Sequence, residues 1–250
     1  MSINILVDAD SIYFANACVL KGGIHMKKTM RKNIDGMMKE IERECFMGDF
    51  RVAVKGRGNF RKDIAPSYKT NRPDLDDDMK AALNYGHDYM KDRWEAVEAD
   101  GMEADDLVSI WAYQAREADE QYVICGIDKD LLQIPGNHYN FKKRTHQFID
   151  DDQGHLLLMT QCLTGDRTDN IPGITGVGPK KAEKILSGVP MERRWNRVKA
   201  AWRGHKAGDP LLSYHLLRML TSWEDLETVR DLFTDKTPVS KSDDGEEQNV

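Results

Sequence analysis

The 250-residue sequence lacks the features that anchor a protein in a membrane or staple a small secreted domain. Its four cysteines are scattered without a CxxC pair, which argues against a disulfide framework. Its seven histidines show neither HxH nor HxxxH spacing, which argues against a zinc site. No apolar run approaches the roughly 20 residues of a membrane-spanning helix. We therefore expect a globular, cytoplasmic protein (host cytoplasm if viral) with reduced thiols and no signal peptide.

Charge is distributed unevenly along the chain, although the net charge is −6. Residues 21–72 contain 14 Lys or Arg against 6 Asp or Glu, and residues 167–206 contain 10 against 3. Such zones suit phosphate contacts, although a basic run is more often a solvated surface. The acidic stretch 234–250 is predicted to be a disordered tail.

Short apolar runs rich in β-branched residues alternate with longer segments of helical periodicity. Residues 3–8, 51–54 and 121–128 are predicted strands, and residues 105–118 a helix. This alternation predicts an α/β fold, with a mostly parallel central sheet and helices on both faces. We assign residues 1–155 to that domain and residues 156–233 to a helical subdomain.

Nine carboxylates stand in short clusters before residue 170. Hard divalent cations prefer oxygen ligands, and so many neighbouring acids repel one another without cations or protons. Parallel sheets bind ligands at the carboxyl ends of their strands, so the pattern predicts a metal-dependent site for phosphate chemistry. The acids are Asp8 and Asp10; Glu103, Asp105 and Asp106; Asp128 and Asp130; Asp166 and Asp169. Taken singly, these clusters also fit helix caps or turns.

The segment 170–186, NIPGITGVGPKKAEKIL, has the pattern of a helix–hairpin–helix motif. Its glycines Gly173, Gly176 and Gly178 are expected to adopt positive φ in a tight turn, and Pro179 suits the start of a helix. Backbone N–H groups of such a turn hold a DNA phosphate without reading the base sequence. The predicted DNA-binding residues are Gly173, Gly176, Gly178, Lys180 and Lys181. A plain connection between two helices is the alternative.

Several motifs in order make the chain resemble the 5′-nuclease or flap-endonuclease family, especially small phage 5′→3′ exonucleases. They are VDAD, NFRKDIAPSYKTNR, MEADDLV, ICGIDKDLLQIPG and LTGDRTDNIPGITGVGPKKA. The resemblance implies that the clustered acids other than Asp10 are metal ligands. It implies that Lys69 and Arg72 are phosphate-facing catalytic cations. Residues 73–93 would then form a helical arch over a single-stranded 5′ end.

The resemblance also implies chemistry and partners. Two Mg²⁺ ions about 4 Å apart, replaceable by Mn²⁺, would activate water and stabilise the leaving 3′ oxygen. The products would carry 5′-phosphate and 3′-hydroxyl ends, and K⁺ is a candidate ligand of the hairpin. The expected substrates are DNA 5′ ends, flaps and nicks, with RNA 5′ ends also considered, in replication, repair or recombination. Tyr68 is assigned to base stacking, with a packed core tyrosine as the alternative.

One position departs from the family pattern. Where the family places an aspartate after the second strand, this chain has Gly56 or its neighbour Lys55. The departure leaves open a catalytically weakened DNA-binding protein, unless Asp10 compensates. A phosphatase of the haloacid-dehalogenase type, with Asp8-Ala-Asp10 as its DxD motif, is a third interpretation.

Overall fold

The structure is a computed structural model that describes residues 2–20, 25–205 and 208–234. Of the expected acidic tail, 234–250, only Thr234 lies within these ranges.

A six-stranded sheet forms the centre of the fold. Its strands are β1 (Asn4–Asp8), β2 (Asp49–Lys55), β3 (Val97–Ala99), β4 (Tyr122–Cys125), β5 (Gly136–Asn140) and β6 (Thr145–Ile149). Their order across the sheet is β3-β2-β1-β4-β5-β6. The first five strands are parallel, whereas β6 pairs antiparallel with β5. The predicted mostly parallel sheet is confirmed.

Helices cover both faces of this sheet. They are α1 (Asp10–Leu20), α2 (Met26–Glu44), α3 (Phe60–Ile64), α4 (Asp77–Trp94), α5 (Ala104–Glu117), α6 (Asp151–Thr164), α7 (Pro179–Leu186), α8 (Met191–Trp202), α9 (Pro210–Leu217) and α10 (Trp223–Thr234). Successive side chains of a strand point to opposite faces. Ile5 and Val7 therefore enter one core with α1, α2 and α4, whereas Leu6 enters another with α5 and α10. Within the described ranges, no helix has the length and apolarity needed to cross a membrane.

The helical C-terminal region is not a separate unit beginning at residue 156. The predicted boundary falls inside α6, which begins at Asp151 behind the capping residue Asp150. A third apolar core joins α6 to α7, α8 and α9. Leu226 and Val229 of α10 return to the core beneath the sheet. Burial of these apolar side chains ties both regions together.

The expected arch segment is a helix packed on the sheet domain. Residues 77–94 form α4, whose buried Ala82, Gly86 and Met90 recur every four positions and make one apolar stripe. A Cβ on Gly86 would lie 2.6 Å from Tyr13 Cβ and 2.7 Å from Met30 Cε. Glycine therefore lets α4 approach α1 and α2 closely, and α4 does not stand free of the core.

Candidate functional site

The carboxyl ends of β1 and β4 bring two acidic clusters together. Asp8 ends β1, and Asp128 follows β4 in the chain. A Cβ on Gly126 would lie 3.6 Å from Asp8 Cβ, so the two strand ends are adjacent. Burial, with added repulsion from Asp10 and Asp128, raises the pKa of Asp8 to about 8. The predicted meeting of these acids at one sheet edge is observed.

The central acidic cluster begins α5 at the same edge. Glu103 is the N-cap of α5 and forms a reciprocal capping box with Asp106. Burial raises the pKa of Asp105, and the charges of Asp106, Glu103 and Asp8 raise it further. The influence of Asp8 on Asp105 connects the start of α5 with the end of β1.

The YKTNR segment docks onto the loop that carries the last acidic cluster. The Lys69 backbone N–H donates to the Asp169 carbonyl at 2.9 Å, and Asn170 Nδ2 donates to the Ser67 carbonyl at 2.8 Å. Lys69 adopts a left-handed conformation, with φ 58°. This conformation is uncommon for a residue with a side chain, and it occurs here beside the acidic site.

Lys69 and Arg72 lie on carboxylates of the site. Lys69 Nζ forms an ion pair with Glu103 and lies 3.5 Å from Asp169, whereas Arg72 lies 2.6 Å from Asp169. Burial alone would raise the pKa of Glu103, but Arg61 and Lys69 outweigh it and hold the value at about 2. Glu103 is therefore ionised and bound by cations of the chain itself.

Tyr68 is a buried scaffold residue, and its assignment to base stacking is wrong. Only 2% of Tyr68 is exposed, so its ring is closed off from a base. Its hydroxyl donates to Glu103 at 2.7 Å and to Asp169 at 3.1 Å. The alternative of a packed core tyrosine fits, because a buried phenol needs such partners. Tyr68 fixes the distance between two acids that are far apart in sequence.

Asp106 is enclosed in an ion pair, which does not fit its prediction as a metal ligand. The residue is fully buried, and its oxygens accept from Arg61 Nη1 at 2.5 Å and Nη2 at 2.9 Å. They also accept the backbone N–H groups of Glu103 and Leu220. No face of this carboxylate is left for a cation, and Asp106 instead anchors α5 to α3 and the C-terminal region.

Lys129 is a site residue that the sequence interpretation missed. Its Nζ lies 2.5 Å from Asp166 and 3.5 Å from Asp130, so it joins two acidic clusters. Burial of Asp166 opposes ionisation, but the hydrogen bond from Lys129 lowers its pKa. Burial and the charge of Asp128 raise the pKa of Asp130. The signal was the lysine between two acids in the DKD string.

Asp10, the first residue of α1, places its carboxylate beside the end of β2, where the family pattern expects an acid. Its Oδ1 accepts the backbone N–H of Lys55 at 2.8 Å and the hydroxyl of Tyr13 at 2.5 Å. A Cβ on Gly56 would lie 2.5 Å from the Ala99 carbonyl carbon. Glycine is therefore required by the approach of β3, and an aspartate does not fit there.

The acids have the oxygen ligands that a hard cation prefers, but several of them are bound by lysine side chains in this structure. The ligand set consists of oxygens. Burial, together with repulsion between the acids, raises the pKa of Asp8, Asp105 and Asp130, and a bound divalent cation would relieve both effects. Among the described residues, no three His, Cys, Asp or Glu side chains are arranged to hold a metal. Lys69 and Lys129 occupy oxygens of Glu103 and Asp166.

The glycine-rich segment connects α6 to α7, as the motif predicted. The two-stranded hairpin of β7 (Gly165–Asp166) and β8 (Ile171–Pro172) leads into its glycine turn, and Pro179 begins α7. Of the three predicted glycines, only Gly176 has a positive φ, of 77°. A Cβ on Gly173 would lie 2.1 Å from the Thr164 carbonyl carbon, and Gly178 is the N-cap of α7. The expectation of positive φ at Gly173 and Gly178 is wrong.

The predicted DNA-binding lysines lie on the first turn of α7. Lys180 is exposed, and Lys181 Nζ donates to the Gly176 carbonyl at 2.7 Å. Asp166 and Asp169 lie in the hairpin just upstream, so the same connection carries acids and lysines. Lysines at a helix N-terminus, with its free N–H groups, form a surface suited to phosphate.

Solved structures of low sequence identity share this fold. The T5 D15 protein crystallised with metal ions matches with a TM-score of 0.65 and 16% identity, covering 93% of this chain and 98% of that one. The catalytic core of Rad2 in complex with DNA substrate matches with a TM-score of 0.51 and 13% identity, covering 93% and 78%.

Similar sequences include the 5′-3′ exonuclease of Aquifex aeolicus, 30% identical over 68% of this chain and 66% of that protein. The flap endonuclease Xni of Aliivibrio salmonicida is 29% identical over 65% and 66%. DNA polymerase I of Pseudomonas aeruginosa is 30% identical over 63% of this chain. The chain spans 18% of the length of that polymerase.

A family model described as "5′-3′ exonuclease, N-terminal resolvase-like domain" matches residues 4–156, from the first strand into α6. That range contains β1, α5 and the segment after β4, whose acids meet at one edge of the sheet. The chain belongs to the 5′-3′ exonuclease family.

Proposed function

We propose that this chain is a metal-dependent, structure-specific 5′→3′ exonuclease and flap endonuclease. The observation that carries the proposal is the joining of four acidic clusters at one sheet edge, beside a glycine-rich turn that bears lysines. Metal-dependent hydrolysis of a phosphodiester needs acids that bind cations, and it needs phosphate contacts that position the duplex.

The proposed metal-ligating residues are the acids of the four clusters other than the enclosed Asp106. They are Asp8, Asp10, Glu103, Asp105, Asp128, Asp130, Asp166 and Asp169. Divalent cations bound there would supply an activated water and stabilise a leaving oxygen. The proposal includes Mg²⁺ as the natural ion, with two ions per site. It also includes K⁺ at the hairpin.

Lys69, Arg72 and Lys129 have two tasks in this proposal. They neutralise Glu103, Asp166 and Asp169 in the free protein. If those carboxylates held divalent cations, the three side chains would be free to contact the phosphate oxygens. There they stabilise negative charge that develops on the scissile phosphate.

Asp10 favours a nuclease over a catalytically weakened DNA-binding protein. That second candidate rested on the acid missing at Gly56, and Asp10 brings a carboxylate to the same strand end through Lys55. The phosphatase interpretation is set aside because the chain belongs to the 5′-3′ exonuclease family.

The test uses end-labelled duplex, 5′-flap, nicked and single-stranded DNA, each with Mg²⁺, with Mn²⁺ and with EDTA. We expect cleavage of substrates with a free 5′ end, 5′-phosphate and 3′-hydroxyl products, and no cleavage with EDTA. Tight flap binding without cleavage in either metal would favour the binding protein. RNA 5′ ends and a cytoplasmic site of action are further parts of the proposal.

A further inference from the structure

The sheet ends in an exposed strand that is not paired on its outer side. β6 is the last strand in the sheet order, and the described residues include no strand on its far side. Four of its five residues are exposed, and 65% of Phe148 is accessible. An edge of this kind presents free N–H and C=O groups, and proteins usually protect such edges with charge, a bulge or a covering element.

The charges on either side of β6 would complement each other if two copies of the strand lay antiparallel. Three basic residues precede the strand and three acidic residues follow it, so that residues 142–152 read KKRTHQFIDDD. Within the strand itself there is no charged residue. The usual protection against edge pairing is therefore absent from the strand, and opposite charges flank it.

We propose that two copies of this chain associate through β6, antiparallel to each other, and join their sheets into one. With the two-fold axis at Gln147, His146 of each copy faces Phe148 of the other. The basic end of each strand then meets the acidic end of its partner. A two-fold interface of this kind uses the same surface twice.

Aromatic contacts support this register. His146 already stacks on Tyr139 of β5, with ring centroids 4.6 Å apart. The exposed ring of Phe148 from a second copy would extend that row across the new strand pair. Aromatic cross-strand pairs contribute roughly 0.2–1 kcal/mol each, and the symmetry provides two.

Charge supports the same register. Lys142 and Lys143 are exposed, and neither has an acidic partner within 4 Å among the described residues. At the other end, Asp151 and Asp152 bind Arg116 and Arg194 but are 57% and 58% exposed. A carboxylate accepts several hydrogen bonds, so each can receive a lysine as well.

The pairing leaves the acidic sites open. Two sheets joined by antiparallel edge strands have their parallel strands running in opposite directions. The carboxyl edges, with Asp8 in each copy, therefore lie at opposite sides of the joined sheet. The association is independent of the proposed nuclease function.

Two surface variants test the interface by sedimentation velocity over a range of protein and salt concentrations. The unmodified chain should show a dimer that grows with concentration and recedes as salt screens the charges. Phe148→Lys and the double variant Lys142→Glu with Lys143→Glu should remain monomeric. Because these side chains are exposed, all three proteins should melt at similar temperatures.

A cysteine cross-link tests the register. In a Cys18→Ser background, which leaves only buried native cysteines, Gln147→Cys should form a disulfide-linked dimer with an added oxidant. Facing residues in an antiparallel pair have Cα atoms about 4.5–5.5 Å apart, within disulfide range. Thr145→Cys is the matched control, because its two copies would lie about 14 Å apart along the strands.

A monomer at every concentration, or equal cross-linking of both cysteine variants, would overturn the proposal. If the chain is always monomeric and the double variant at Lys142 and Lys143 binds DNA more weakly, the proposal is likewise overturned. That result would assign the basic residues 142–144 to nucleic-acid binding instead.

Discussion

Asp10 accepts a hydrogen bond from the backbone N–H of Lys55 at 2.8 Å. This contact places a carboxylate from the start of α1 at the end of β2, where Gly56 has no side chain. A carboxylate from a different part of the chain therefore lies at the strand end where the family pattern expects an acid.

Replacing this carboxylate should weaken metal binding without unfolding the protein. Asp10→Asn retains an oxygen for Lys55 and Tyr13 but removes the negative charge that attracts a divalent cation. We expect the affinity for Mg²⁺ in calorimetric titration to fall about tenfold, which corresponds to about 1.4 kcal/mol. The matched control is Asp49→Asn, at the exposed opposite end of β2.

Placing the family's aspartate at position 56 should not improve metal binding. Gly56→Asp would set its Cβ 2.5 Å from the Ala99 carbonyl carbon, so the cost falls on the backbone of β3. We expect a lower melting temperature and no gain in Mg²⁺ affinity. A stable Gly56→Asp protein with tighter Mg²⁺ binding would contradict the role given to Asp10.

The buried pair of Arg61 and Asp106 should stabilise the fold, because both side chains also hydrogen-bond to the backbone of the C-terminal region. Arg61 also donates to the carbonyls of Leu216 and Arg218 at 2.9 Å and 2.8 Å. Arg61→Met leaves Asp106 buried without its cation, which typically costs about 3–5 kcal/mol. Urea unfolding measures the loss in the free energy of unfolding.

The control for this prediction is an exposed ion pair. Arg43 and Glu44 lie 3.0 Å apart with side chains 70% and 39% exposed, and Arg43→Met should cost less than about 1 kcal/mol. Equal losses in the two variants would show that Arg61 is not a structural anchor.

The stability of the metal-free protein should depend on Asp8 in a defined pH window. The folded-state pKa is raised from the ordinary 3.8 to about 8, so Asp8 holds its proton longer when folded than when unfolded. Its contribution is complete below about pH 4 and is lost as the pH rises towards 8. Asp8→Asn avoids that loss and should be more stable than the unmodified chain at pH 8, by roughly 1–5 kcal/mol.

Thermal melts in EDTA at pH 5 and pH 8 measure this difference, which should be larger at pH 8. Adding Mg²⁺ at pH 8 should then stabilise the unmodified chain more than the variant. A difference that is constant with pH would show that Asp8 is not held in a repulsive cluster.

Phosphate contacts of the glycine-rich turn should be separable from catalysis. Replacing Lys180 and Lys181 with Ala should weaken duplex binding for every base sequence and flatten its salt dependence, because each lost phosphate contact removes about one released counterion. Single-stranded 5′ ends should be affected less. Fluorescence anisotropy at several salt concentrations tests this, with the double variant of exposed Lys32 and Lys39 on α2, both replaced by Ala, as the matched charge control. Unchanged affinity and salt slope would mean that the turn is only structural.

Local sequence patterns predicted much of the fold and part of the site. The apolar run before Asp8 and the helical period after Glu103 were readable because strand and helix periodicity is local. The same holds for Pro179 at the start of α7.

Tertiary partners were not readable in the same way. Tyr68 meets Glu103 and Asp169 across 35 and 101 residues, and nothing in the sequence around Tyr68 distinguishes a buried phenol from a stacking one. The enclosure of Asp106 depends on Arg61, 45 residues away. The meaning of Gly56 depends on how closely β3 approaches, which is a property of packing rather than of sequence pattern.

The most direct test of the account is single-turnover cleavage of a 5′-flap substrate by Asp128→Asn, with flap binding measured in parallel. Asp128 is exposed and accepts only the Asp130 backbone N–H among its hydrogen bonds in the described chain, at 2.9 Å, a contact that Asn retains. If the acids hold catalytic metal, cleavage in Mg²⁺ should fall at least about a hundredfold while flap affinity stays within about twofold. Unchanged cleavage by a folded Asp128→Asn protein would contradict the assignment of this edge as the metal-dependent active site.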